Sequence, residues 1–218
     1  MVIFQPIRYD KLKLMASTFS AYFIVLFTSF SISCFGQERK STLIIFEQKN
    51  VNEVIRLEKE IDNQYEIISQ NVILSEQIFP LLKDYNIGKP LLIKRTAEFL
   101  PIYINYFYSM NDSLVRFINY DWERGKYDNF RDKQKIWGEE KGKLEGYNLK
   151  YEALKLILKE ALGDPNIQDQ KPRISKSQFG NKDFYIRETN WETDEFVANL
   201  NLTFASKTYR IRYNIYWK

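Results

Sequence analysis

The C-terminal stretch FVANLNLTFASKTYRIRYNIYWK alternates apolar and polar residues with period two. Phe196, Ala198, Leu200, Leu202 and Phe204 fall on one side of a first strand. Tyr209, Ile211, Tyr213, Ile215 and Trp217 fall on one side of a second, and Arg210, Arg212, Asn214 and Lys218 fall on the other. Ala205-Ser206-Lys207 supplies the turn between them. Slipping such a strand by one residue would turn its whole apolar set into water, so the pattern fixes register as well as strand identity. One dry face and one wet face are the mark of an antiparallel meander that helices cover on one side.

The same pattern occurs earlier. LPIYINYFYS puts Leu100, Ile102, Ile104, Tyr106 and Tyr108 on one face, and LVRFINYDW does so for Ile118, Tyr120 and Trp122. The MNDS between them has turn chemistry, so a hairpin is expected. LLIKRTAEF is a candidate third strand. Each meander follows a stretch of helical period. Val51, Val54, Ile55, Ile61, Tyr65 and Ile68 make the first stripe, and a shorter piece over Leu74–Tyr85 is bent by Pro80. Tyr147, Tyr151, Leu154, Ile157, Leu158, Ala161 and Leu162 make the second stripe, which Gly163 and Pro165 terminate. Gly138, Gly142 and Gly146, among Glu and Lys, predict a frayed approach to that helix, and residues 166–182 read as loop. The fold class is therefore α+β, with helices packed on antiparallel β-meanders. It reads either as one array or as two tandem αβββ units over 37–125 and 126–218. In the tandem reading NYDWE aligns with NIYWK, matching Asn119 to Asn214 and Trp122 to Trp217.

Residues 1–36 have the form of a secretory signal peptide. Arg8, Lys11 and Lys13 precede an uncharged stretch, Leu14–Gly36, centred on AYFIVLF, and small residues precede a cut after Gly36. Two alternatives are an uncleaved anchor over residues 14–36 and a lipoprotein attached through Cys34. Removing the segment takes three of 32 basic and one of 28 acidic residues, leaving 29 against 27 and a net charge of +2 in place of +4. That balance exerts no long-range pull on nucleic acid. Cys34 is the one cysteine of the chain, so the exported part has no disulfide and depends on its core, for which 35 Phe, Tyr and Trp supply area. Export without disulfides suits the bacterial envelope, periplasm or cell surface.

The chain contains no histidine, which removes His-based acid–base and triad chemistry and nearly all zinc sites. Phosphate-cradling loops and nucleophile motifs are absent, and no cofactor or metal is expected. What remains is carboxylate chemistry. ETNWETDEF holds Glu188, Glu192, Asp194 and Glu195 around Trp191, the equipment of a glycan hydrolase. A polar turn between strands accounts for the same residues. DPNIQDQ begins like a calcium loop, with Asp164, Asn166 and Gln168, but Asp169 and Ser175 stand where Gly and Glu are required. Asn111 and Asn201 head N-x-S/T triplets, which matter only in a eukaryotic secretory route.

Alternation leaves Tyr103, Phe107, Arg210, Arg212 and Tyr216 on the faces expected to be wet, and these form the candidate binding surface. The expected function is a non-catalytic binding or interaction protein of the envelope whose partner is a protein, peptide or glycan. A carboxylate-based hydrolase and a membrane-anchored accessory subunit are the alternatives. Membrane contact is expected only through residues 14–36 if they are kept, or through a lipid on Cys34.

Overall fold

The computed structural model describes residues 44–62, 64–69, 80–97, 99–176 and 183–218. The signal or anchor segment, and the Leu74–Tyr85 piece as far as residue 79, lie outside the described residues. The first helix, α1 (Val51–Ile61), begins at a capping box: the Asn50 side chain accepts from Asn52 N at 3.0 Å, and Glu53 reaches back to Asn50 N at 3.3 Å. It ends earlier than its apolar stripe predicts. Asp62 accepts from Gln64 N at 2.9 Å, a local bond that competes with the helical ladder. The stripe's last residues, Tyr65 and Ile68, flank the short strand β1 (Glu66–Ile67) instead, and Pro80–Leu82 forms one 3₁₀ turn.

The expected hairpin is present, with β2 (Leu91–Arg95) added to β3 (Ile102–Tyr108) and β4 (Val115–Glu123). The glycine-spaced segment is corrected from frayed chain to helix. Asn129 caps α2 (Phe130–Glu140) by accepting from Asp132 N at 3.1 Å. A short turn leads to α3 (Leu144–Leu162), where Gly146 lets the Phe99 ring approach. Residues 166–182 are corrected in part: β5 (Ile167–Gln168) and β6 (Arg173–Lys176) both pair with β7 (Asp183–Glu192). The long β7 offers free backbone groups, and Asp169 N bonds Glu188 O at 2.8 Å. β8 (Phe196–Ala205) and β9 (Thr208–Trp217) complete the meander read from the sequence.

All pairings are antiparallel, and the strands form one sheet in the order β1-β2-β3-β4-β9-β8-β7-β5. The two meanders thus meet along β4 and β9, with Asn119 directly opposite Asn214. Tyr147, Tyr151, Leu154 and Leu158 of α3 and Val54 of α1 belong to one core with Trp122, Trp191, Tyr213 and Ile215 of the sheet. Each aliphatic side chain among them contributes about 1.5–3 kcal/mol on burial. α1 is also held by a buried ion pair. Arg95 Nε donates to Glu58 Oε2 at 2.7 Å, a second guanidinium nitrogen donates to Oε1, and the Tyr106 hydroxyl donates to that same oxygen. Burial pushes the Tyr106 hydroxyl well above its usual range.

Candidate functional site

The side of the sheet away from α1 and α3 is organised in rows that cross the strands. The central row is made of one residue type. Asn105, Asn119, Asn214, Asn199 and Asn190 lie opposite one another on β3, β4, β9, β8 and β7. Their amides are joined in two runs: Asn105 donates to Asn119 at 2.8 Å and Asn119 to Asn214 at 2.9 Å, and Asn199 donates to Asn190. Asn201, two residues along β8, donates to Asn199. Turned over, the Asn119 amide would meet Asp121 Oδ2 at 2.9 Å and Arg212 Nε at 3.1 Å, so it stands between the row and a charged cluster.

That cluster occupies the next row, Tyr103–Asp121–Arg212–Asn201–Glu188. Asp121 is fully buried and accepts from Arg212 in a two-bond fork, Nε at 2.6 Å and Nη2 at 2.9 Å, and also from Lys126 Nζ. Burial alone would raise the Asp121 carboxyl, but Arg212 and Lys126 outweigh it and hold it at about 2. Burial pushes Lys126 down despite Asp121. Burial and the charge of Asp121 push Glu123 up. Arg210, opposite Glu123, is lowered by burial and by its neighbour Arg212. The turn after β4 folds back over the row: the Tyr127 hydroxyl donates to Asn105 Oδ1 at 3.1 Å, and its ring meets Tyr103 edge-on.

The five surface residues expected from alternation do share this side of the sheet, but not equal access to solvent. Tyr103 and Phe107 are corrected: they are 5% and 3% exposed. Tyr127 packs against the first, and the second packs with Phe117 and Leu82. Alternation reports which side a residue takes, not whether a later loop covers that side. Arg210, Arg212 and Tyr216 are half-buried, with the Tyr216 ring stacked on Phe117 at 4.1 Å. Over β7, β8 and β9 the outward residues Glu188, Asn190, Val197, Asn199, Asn201, Thr203, Arg210, Arg212 and Asn214 all keep partial exposure, so this half of the face is the more open one.

The four candidate carboxylates are dispersed along a polar edge. Glu188 pairs with Arg173 at 3.2 Å and Glu192 with Lys218 at 3.3 Å, while Asp194 and Glu195 are exposed in the β7–β8 turn. Of the calcium-like segment, Asp164 pairs with Lys159, and Asn166 accepts from Glu192 N at 2.6 Å. Among the described residues no group of three or more acidic side chains is placed to hold a metal, and no helix is long and apolar enough to cross a membrane. Sequence reasoning missed the asparagine row, Asp121 and Lys126. The only signal for Asp121 was an acidic residue inside the apolar run INYDW, and its partner lies 91 residues on. No protein-family model matches the chain, and neither a curated protein nor a solved structure matches it.

Proposed function

We propose that the chain is an exported, non-catalytic binding protein of the bacterial envelope, and that it takes a glycan on the open face of β7–β9. The observation that supports this reading is the row of asparagines, continued on open strands by Asn201, Thr203, Arg210 and Arg212. An amide presents donor and acceptor side by side, which suits paired sugar hydroxyls. The row repeats that pair at the strand spacing of about 4.8 Å. Tyr216 adds a ring at the margin of the face.

The test is co-sedimentation of the purified chain from residue 37 with insoluble peptidoglycan, alongside gel retardation in soluble envelope polysaccharide. Wild-type protein is expected to bind one of the two. The double variant Asn199→Leu/Asn201→Leu should lose binding while unfolding at an unchanged temperature. Absence of binding to both polymers, or retention by the double variant, would refute the glycan reading. Intact mass of the exported product tests the signal peptide: cleavage after Gly36 removes residues 1–36.

A further inference from the structure

On the opposite side of the sheet, α2 and the β8–β9 hairpin enclose a groove of about 650 Å³. Its size lies within the range of small-molecule sites. Its walls are aromatic: Phe130 and Trp137 from α2, Tyr185, Phe204 and Tyr209 from β7, β8 and β9. Phe130 and Trp137 meet edge-to-face at 6.0 Å, as do Phe204 and Tyr209 at 4.7 Å, so the rings are fixed in pairs. Phe130 is nonetheless 63% exposed.

The polar lining is of one charge. Lys141 and Lys207 border the groove, and among the described residues no Asp or Glu does. Neither lysine forms an ion pair among the described residues. Glu140, whose charge acts on Tyr209, is already committed to Arg124, Lys143 and the Tyr147 hydroxyl. An aromatic trough with two ammonium groups at its rim, neither paired among the described residues, matches a molecule with an apolar body and one anionic head. We infer that this groove is a second binding site, separate from the asparagine face, for an amphiphilic anion such as a medium-chain carboxylate.

The test uses the folded chain from residue 37 and three twelve-carbon probes: dodecanoate, dodecylamine and the neutral dodecyl maltoside. Anilinonaphthalene sulfonate serves as the fluorescent reporter. Dodecanoate is expected to displace the reporter saturably, and the other two to do so at least fivefold less well. Lys141→Glu/Lys207→Glu should weaken dodecanoate about fivefold or more, since each exposed charge contact carries a modest share. Gly138→Trp, at a helical position with open space around its Cβ, should block the groove and abolish displacement. Both variants are read only with thermal unfolding unchanged, and Phe130→Ala, at an exposed position, replaces either one that unfolds early and should also weaken binding. No saturable reporter binding, equal displacement by the amine, or unaltered binding in the variants would overturn the inference. None of these results depends on the glycan assay.

Discussion

Replacing Asp121 by Asn preserves shape and removes one charge, so its effect can be worked out beforehand. In the folded chain the carboxyl is lowered from its ordinary 3.8 to about 2. At about 1.4 kcal/mol per pH unit, that corresponds to about 2 kcal/mol at neutral pH. Asn also leaves Arg212 and Lys126 side by side without their counter-charge. Breaking a buried pair costs about 3–5 kcal/mol. The Arg212 and Lys126 side chains are still 28% and 15% exposed, which lets water relieve part of the loss. A total of about 3 kcal/mol at pH 7 is therefore expected. The group is depressed, so its contribution is present above the ordinary carboxylate value and is lost as pH falls toward the folded one. Urea unfolding followed by tryptophan fluorescence, with Trp122, Trp191 and Trp217 buried as reporters, measures the gap. The gap should be unchanged at pH 5 and smaller by about 1 kcal/mol at pH 3. A gap below about 1 kcal/mol at pH 7, or one of equal size at pH 3 and pH 7, would refute the account of Asp121 as a carboxylate held by two cations.

Three other substitutions follow from local geometry. Gly163, at φ 85°, ends α3 in a conformation that L side chains avoid, so Gly163→Ala should cost about 1–2 kcal/mol although open space surrounds it. Gly138→Ala, within α2 and equally uncrowded, should raise stability by about 0.5–1 kcal/mol in the same thermal melt. Trp191 Nε1 donates to Gly163 O at 3.0 Å, tying β7 to the end of α3; Trp191→Phe should cost about 2 kcal/mol in urea titration.

What alternation could reveal is set by its range. Period two is a property of a few consecutive residues, so β3, β4, β8 and β9 and their faces were legible. The stripe Tyr147–Leu162 located α3 for the same reason. The end of α1 was not legible, because the Asp62 turn outcompetes an apolar stripe that continues past it. α2 was hidden by glycines whose cost its Asn129 cap offsets. β5 and β6 are invisible locally because β7 supplies their partners. Arg187 fixes them from the far side of the sheet, donating to the carbonyls of Asp169 and Gln170 and to Asn148 and Glu152 of α3. The candidate face was legible as a side, through Arg210, Arg212 and Tyr216, but its rows were not. A row is made of one residue from each of several strands, and it exists only once the register between strands is known.

The seam between the meanders shows why the open face lies where it does. A local two-fold axis passes through any residue pair of an antiparallel ladder. Placed at Asn119 and Asn214, the axis exchanges β4 with β9, β3 with β8 and β2 with β7. It also exchanges Trp122 with Trp217, the correspondence that NYDW and NIYW suggest as letters, and Asn105 with Asn199. The symmetry holds on the helix side, where both tryptophans are buried. It fails on the other side, in a consistent direction. Phe107 corresponds to Asn201 and Tyr103 to Val197: in the first half the outward positions beside the central row are aromatic, and in the second one is an amide and the other an aliphatic. Leu82 and Tyr85 cover the first half beside Phe107, and Tyr127 covers it beside Tyr103. Among the described residues no such cover lies on Asn199 or Asn201, which stay half-exposed. Covered aromatic positions in one half and smaller, half-exposed ones in its counterpart distinguish the two halves of a single sheet. The first half uses its second side to complete a core, and the second half leaves that side partly exposed, which is why the proposed ligand face is placed there.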